Sequence, residues 1–255
     1  MRCVLSLCPL MLLVGCAARQ PASDPASRTL EMRYRMALTL VEQQAHDAAA
    51  PYLIDLVARR PGDARLHLLL GIVLREKGVH DKAAQELAEA LRLSPNSPTA
   101  HAALGVLRLQ QKRYPEAIHC LRRAVELAPT VAAHHNDLGF CLLVRRELPE
   151  ARQELLEAIR LDPTMRRAFN NLGLVLGLMG QQEDARKAFG QAGSQPMALT
   201  NMGFVEELRG QPTSARRYYE RALRIEQGYR PAQHNLRALD PENPILDQEV
   251  TAEGD

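Results

Sequence analysis

The apolar positions between about residues 30 and 240 repeat on a fixed interval. Leu-Gly pairs stand at Leu70-Gly71, Leu104-Gly105, Leu138-Gly139 and Leu172-Gly173, each 34 residues from the last. Small residues follow in step, Ala83 and Ala90, then Ala117 and Ala124, then Ala151 and Ala158, with Leu87, Leu121 and Leu155 between them. Prolines close the intervals at 61, 95, 129 and 163. Proline cannot continue a helix and disfavours the helical conformation of the residue before it, so these four mark helix ends. Pro115 and Pro149 precede Glu-Ala steps and suit a helix's first turn, where no intrahelical hydrogen bond is lost. The pattern predicts paired helices in series, the small residues allowing close approach and the large ones filling the space between.

This pattern resembles the tetratricopeptide repeat, W-x2-L-G-x2-Y, then A-x3-F, then P, on two antiparallel helices, A and B. The resemblance implies an all-α superhelix of about six helix-turn-helix repeats with a C-terminal capping helix. The expected units are 30–63, 64–97, 98–131, 132–165, 166–195 and 196–229, with the cap at 230–240. The first unit is degenerate, with Ala37 for the glycine and Leu56 for the second alanine. The fifth is four residues short, because Met202-Gly203 restarts the motif early, and the deletion is expected in the turn after its helix B. Tryptophan is absent, and Leu74, Arg108, Leu142, Leu176 and Glu206 stand where the family places tyrosine.

The ends of the chain read differently. An apolar run from Cys3 to about Val14 would cover only ~18 Å as helix, short of a ~30 Å hydrocarbon core. It reads as a signal peptide, residues 1–15. Leu13-Val14-Gly15-Cys16 resembles a bacterial lipoprotein signal, which implies diacylglycerol on the sulfur of Cys16 and an acylated amine. Residues 16–29, rich in Pro, Ala and Ser, read as a disordered tether. Ala17, where an enterobacterial sorting rule would have aspartate for inner-membrane retention, points to the outer membrane of a Gram-negative cell. Residues 241–255 hold five carboxylates and no Lys or Arg, a solvated acidic tail. The whole chain carries +2, and loss of Arg2 with the signal leaves +1, too weak a field to recruit nucleic acid.

Signals for catalysis are poor. Gly173 and Gly180 lie in a glycine-rich stretch, but no strand precedes it and both fall on repeat positions. No nucleophile motif and no zinc-spaced Cys or His set is present, so neither an enzyme nor a metal or small-molecule substrate site is expected. The only cofactor-like group expected is the covalent lipid on Cys16. His67, His101 and His135 share the fourth repeat position; ~8–10 Å between stacked helices is too far for one zinc with ~2.0–2.1 Å bonds. They are read as flat rings replacing a packed aromatic. Cys120 and Cys141 flank the turn at Pro129; a disulfide is open to them in a periplasm, but two buried free thiols are the preferred reading.

The inner surface is the candidate site. The resemblance places the concave groove on helix A, whose ninth position reads Leu38, Ile72, Val106, Phe140, Leu174 and Phe204, apolar in every unit. Asn171, Asn201 and Asn235 recur at the sixth position and could hydrogen-bond a peptide backbone. The competing reading is that the stripe is only helix A packing on helix A; if exposed, it marks a partner site. The Lys and Arg set with which some relatives clamp carboxylates is missing, which favours an apolar ligand. Anchor, tether and repeats together resemble pilotin-type lipoproteins of type IV pilus, tight-adherence pilus and secretion systems. That implies a protein partner such as a secretin or pilus-assembly component. The alternative is an envelope scaffold or regulator that docks a cell-wall or glycan-processing enzyme.

Overall fold

The structure, a computed structural model, describes the backbone of residues 25–239 and the side chains of 28–239. Cys16, the signal and the acidic tail lie outside the described residues. Within them are thirteen helices: α1 (Pro25–Glu42), α2 (His46–Arg59), α3 (Ala64–Glu76), α4 (His80–Leu93), α5 (Pro98–Gln110), α6 (Tyr114–Leu127) and α7 (Ala132–Val144). Then come α8 (Leu148–Leu161), α9 (Arg166–Leu178), α10 (Gln182–Ala192), α11 (Gln195–Leu208), α12 (Pro212–Ile225) and α13 (Arg230–Leu239). None is long and apolar enough to cross a membrane. Helix α1 starts at Pro25, so residues 25–29, read from sequence as tether, are helical. A proline fits there because a helix's first N–H groups have no intrahelical partner in any case.

Odd-numbered helices are the A helices and even-numbered ones, from α2 to α12, the B helices. Each A packs most closely on its own B, each B packs on the next A, and successive A helices touch one another from α3 to α13. B helices have no comparable contact with B helices. The A helices therefore form the inner, concave layer and the B helices fan out around it, the geometry of a curved solenoid.

Close packing of A on B depends on the repeated glycine. A Cβ on Gly71, Gly105 or Gly139 would lie 2.7, 2.6 or 2.7 Å from the Cγ of Leu87, Leu121 or Leu155. All three leucines are fully buried. In the fifth and sixth units Phe189 and Tyr219 fill the same space against Gly173 and Gly203. The A–B turns also repeat: residues 44, 78, 112, 146, 180 and 210 all take positive φ, between 57° and 80°. The next residue's N–H reaches back to close the helix, as in Val79 to Leu74 and Glu147 to Leu142. This is the Schellman ending, for which glycine is the unstrained residue; Gln44, Lys112 and Arg146 adopt it without that advantage.

The short fifth unit is resolved differently from the sequence expectation. Helix α10 has 11 residues where α8 has 14, so the deletion removes the last turn of the helix itself, and the turn that follows shrinks to Gly193-Ser194. Arg166 covers the truncated end, its Nε donating to the Ala192 carbonyl at 2.5 Å. Helix α11 packs on α9 as the other successive A helices pack on one another. Gly177, at a position held by Arg75, Leu109 and Leu143 in earlier units, makes the room: a Cβ there would lie 2.6 Å from Val205 Cγ1.

Beyond α12, α13 lays Ala232 and Leu236 against Leu199 and Tyr219 and continues the core. Where the family's tyrosine position is polar, local bonds satisfy it. Buried Glu206 accepts from Gln182 at 2.8 Å and from Arg209 at 3.1 Å, and Arg108 pairs with Glu116 at 3.3 Å.

Candidate partner-binding groove

Exposure along the ninth position of helix A separates the two readings of the stripe. Leu38, Ile72, Val106 and Leu174 are half-buried, while Phe140 is 38% and Phe204 41% exposed. None of the six is a core residue, unlike Leu107, Leu142 and Val175 on the same helices, which are fully buried. One turn further along, Val144 and Leu208 are 41% and 40% exposed and Leu178 is half-buried. The pairs Phe140/Val144, Leu174/Leu178 and Phe204/Leu208, each spaced i, i+4, thus line the inner faces of α7, α9 and α11. Three successive A helices present apolar side chains to solvent, the arrangement expected of a recognition surface.

At its N-terminal edge this surface deepens into a cleft of about 430 Å³ between α5 and α7. Val106, Leu109, Phe140 and Val144 form its apolar walls. Asp137, one turn before Phe140 on α7, and Gln110, Lys112 and Tyr114 supply its polar lining. Asp137 is half-buried and accepts from Asn136 Nδ2 at 3.1 Å. Burial pushes its carboxyl above the ordinary range, opposed by that hydrogen bond and by Arg167, His134 and Arg75.

The sixth-position asparagines also carry hydrogen bonds within the solenoid. Asn171 donates to Asn136 Oδ1 at 3.0 Å and Asn201 to Asn170 Oδ1 at 2.6 Å, while Asn235 bonds to Tyr219. Each spends part of its hydrogen-bonding capacity on a neighbouring element and so ties successive helices together. Asn136 and Asn170, which the sequence reading passed over, complete these bridges. Their signal was adjacency: each stands beside another sixth-position group, Asp137 or Asn171.

The histidines are more than ring-shaped filler. His67 and His135 are buried, each with Nδ1 2.7 Å from a helix B carboxylate, Glu86 or Glu154. Each Nε2 lies against the carbonyl of the preceding unit's closing proline, Pro61 at 3.0 Å and Pro129 at 2.9 Å. A packed aromatic would leave that carbonyl and the carboxylate without this partner, so imidazole links three elements at once. His101 keeps the proline bond, to Pro95 at 2.9 Å, but Cys120 stands in the carboxylate's place. The recurrence of His and Glu nineteen residues apart in two units was the readable signal. Cys120 and Cys141 are free thiols. Burial pushes both up, Cys141 to about 11, which keeps them protonated and unreactive near neutrality. Among the described residues no three His, Cys, Asp or Glu side chains are grouped to hold a metal.

Known proteins place the fold independently. Tetratricopeptide-repeat family models match residues 34–98, 102–166 and 197–227. No curated protein sequence matches the chain. Among solved structures, PilF of Pseudomonas aeruginosa superposes with a TM-score of 0.65 at 19% identity, over 83% of this chain and 98% of that one. YrrB, described as a tetratricopeptide-repeat protein with an unusual peptide-binding site, gives 0.56 at 19%, over 72% and 96%. MamA of Desulfovibrio magneticus gives 0.56 at 21%, over 64% and 92%. These likenesses are of fold. Repeats of this kind typically serve as scaffolds for protein–protein interaction, and the repeat models cover more than half the sequence: the chain belongs to the tetratricopeptide-repeat family.

Proposed function

We propose that this protein is a non-catalytic lipoprotein of the outer membrane that holds a protein partner in its concave groove. On this reading it acts as a pilotin-like assembly factor for a pilus or secretion-system secretin. The observation that carries the reading is the exposed apolar surface of α7, α9 and α11. An inner face that needed only to pack helix A on helix A would have no reason to leave two phenylalanines about two-fifths open to water. Likeness in fold to PilF over nearly all of that chain accords with the reading, as do the Leu-Val-Gly-Cys signal and the short segment between Cys16 and α1. Physically, two or more acyl chains on Cys16 would hold the protein at the membrane, where one chain gives only marginal binding. The groove would meanwhile cover an apolar segment of an unassembled subunit. The decisive experiment is photocrosslinking in cells from position 204, with a Cys16→Ser strain in parallel. Adducts with secretin or pilus-assembly subunits from outer membranes, lost when Cys16→Ser releases the protein, are expected. Adducts with a cell-wall hydrolase or synthase instead would favour the envelope-scaffold alternative.

A further inference from the structure

The cleft between α5 and α7 is lined by four apolar side chains and one carboxylate, and the two features call for different things from a ligand. Val106, Leu109, Phe140 and Val144 ask for an aliphatic or aromatic side chain. Asp137 asks for a cation. Its carboxylate has lost part of its hydration to burial, yet among the described residues it forms no ion pair and its one hydrogen-bond donor is Asn136. A half-desolvated anion gains more from a new cationic partner than an exposed one does, because its water is already partly gone. Lys112, also in the lining, is exposed and stays hydrated, so it weighs less in the choice of ligand.

We propose that the cleft selects a partner segment carrying a basic residue next to its apolar anchor, with Asp137 reading the basic residue and Phe140 the anchor. The assignment rests on the groove reading given above and adds the chemistry of the occupant. Asp137 and Phe140 are three residues apart on α7 and so on the same face of the helix. A ligand side chain seated on the ring therefore has its neighbour within reach of the carboxylate. Variation along the solenoid supports a local reader: the equivalent sixth position is Arg35, Leu69, Ala103, Asn171 and Asn201 in the other five units, so the acidic group at this position is confined to this cleft.

The test uses the full chain against a library of random 12-residue peptides displayed on phage, with Asp137→Asn, Asp137→Lys and Phe140→Ala as companions, each checked for native helicity. Wild type should enrich peptides with Lys or Arg within one helical turn of a large apolar residue. A representative winner, synthesised and fluorescently labelled, should bind Asp137→Asn at least tenfold more weakly. Asp137→Lys should shift the selected charge to Asp or Glu. Apolar winners that lose binding to Phe140→Ala but show no excess of Lys or Arg would overturn the Asp137 assignment and leave the groove standing. Winners indifferent to Phe140→Ala, or no winners at all, would overturn the groove reading and this inference with it.

Discussion

Phe140→Asp is the substitution that tests the inner face most directly. About three-fifths of the ring is covered in the free protein, since its exposure is 38%. Full burial of a phenylalanine stabilises by about 1.5–3 kcal/mol, so the covered part contributes about 1–2 kcal/mol. The introduced carboxylate sits at a solvent-lined position and stays hydrated, so the expected cost to folding is about that same 1–2 kcal/mol. In a chain of this length that lowers the melting temperature by roughly 2–8 °C. Leu142, two residues on and fully buried, supplies the contrast: an aspartate there would bury an unpaired charge among apolar groups, one of the few mechanisms that unfolds a domain outright. Binding should respond in the opposite order. A partner that covers the rest of the ring would instead have to desolvate a carboxylate lying one turn from Asp137, and a loss of about 2 kcal/mol or more, roughly 30-fold, is expected. Far-ultraviolet circular dichroism with a thermal melt reads the first effect; recovery of crosslinked partner from cells reads the second. The reasoning fails if Phe140→Asp is unfolded at room temperature as Leu142→Asp should be, or if it is folded and captures its partner undiminished.

Three further outcomes follow from the packing. Gly139→Ala places a Cβ 2.7 Å from Leu155 Cγ and 3.2 Å from the Ala151 carbonyl, and overpacking should cost about 1–3 kcal/mol. Gly190→Ala on α10 meets nothing within 4 Å and should stabilise by up to about 1 kcal/mol, so urea midpoints of the two variants should move in opposite directions. His135→Ala strips partners from Glu154 and the Pro129 carbonyl and should cost about 1–3 kcal/mol, whereas His101→Ala, which has no carboxylate to abandon, should cost distinctly less in the same denaturation assay. Asp137 titrates above its ordinary range in the folded protein, so the native state binds more protons than the unfolded one between the two values. Stability should therefore fall as pH rises through the window just above the ordinary carboxyl range; Asp137→Asn should flatten that part of the profile and melt higher than wild type at neutral pH, and a variant that melts lower there would contradict the burial argument.

The 34-residue spacing of glycine, alanine and proline was enough to read the paired helices and the A–B packing from sequence alone. Those positions answer to backbone geometry: only glycine lets Leu87, Leu121 and Leu155 sit against the facing helix, and a closing proline ends a helix wherever it occurs. Which apolar residues face solvent was a different matter. The ninth-position stripe could be read from sequence either as groove or as helix A packing on helix A, and only the stacked repeats show Phe140 part-open while Leu142 on the same helix is fully buried. The deletion in the fifth unit was visible as a count, but its division between the last turn of α10 and the Gly193-Ser194 turn depends on how α11 settles against Gly177. The same holds for the polar groups. Asn171 and Asn201 recur at a groove position, yet their amides meet Asn136 and Asn170 on the neighbouring helix. His67 and His135 find a carboxylate nineteen residues on and a carbonyl six residues back. Local sequence specifies each helix and its capping turns because those depend on residues within a few positions. Partners for a side chain come from whichever element the superhelix carries past it, and that is decided only when the repeats stack.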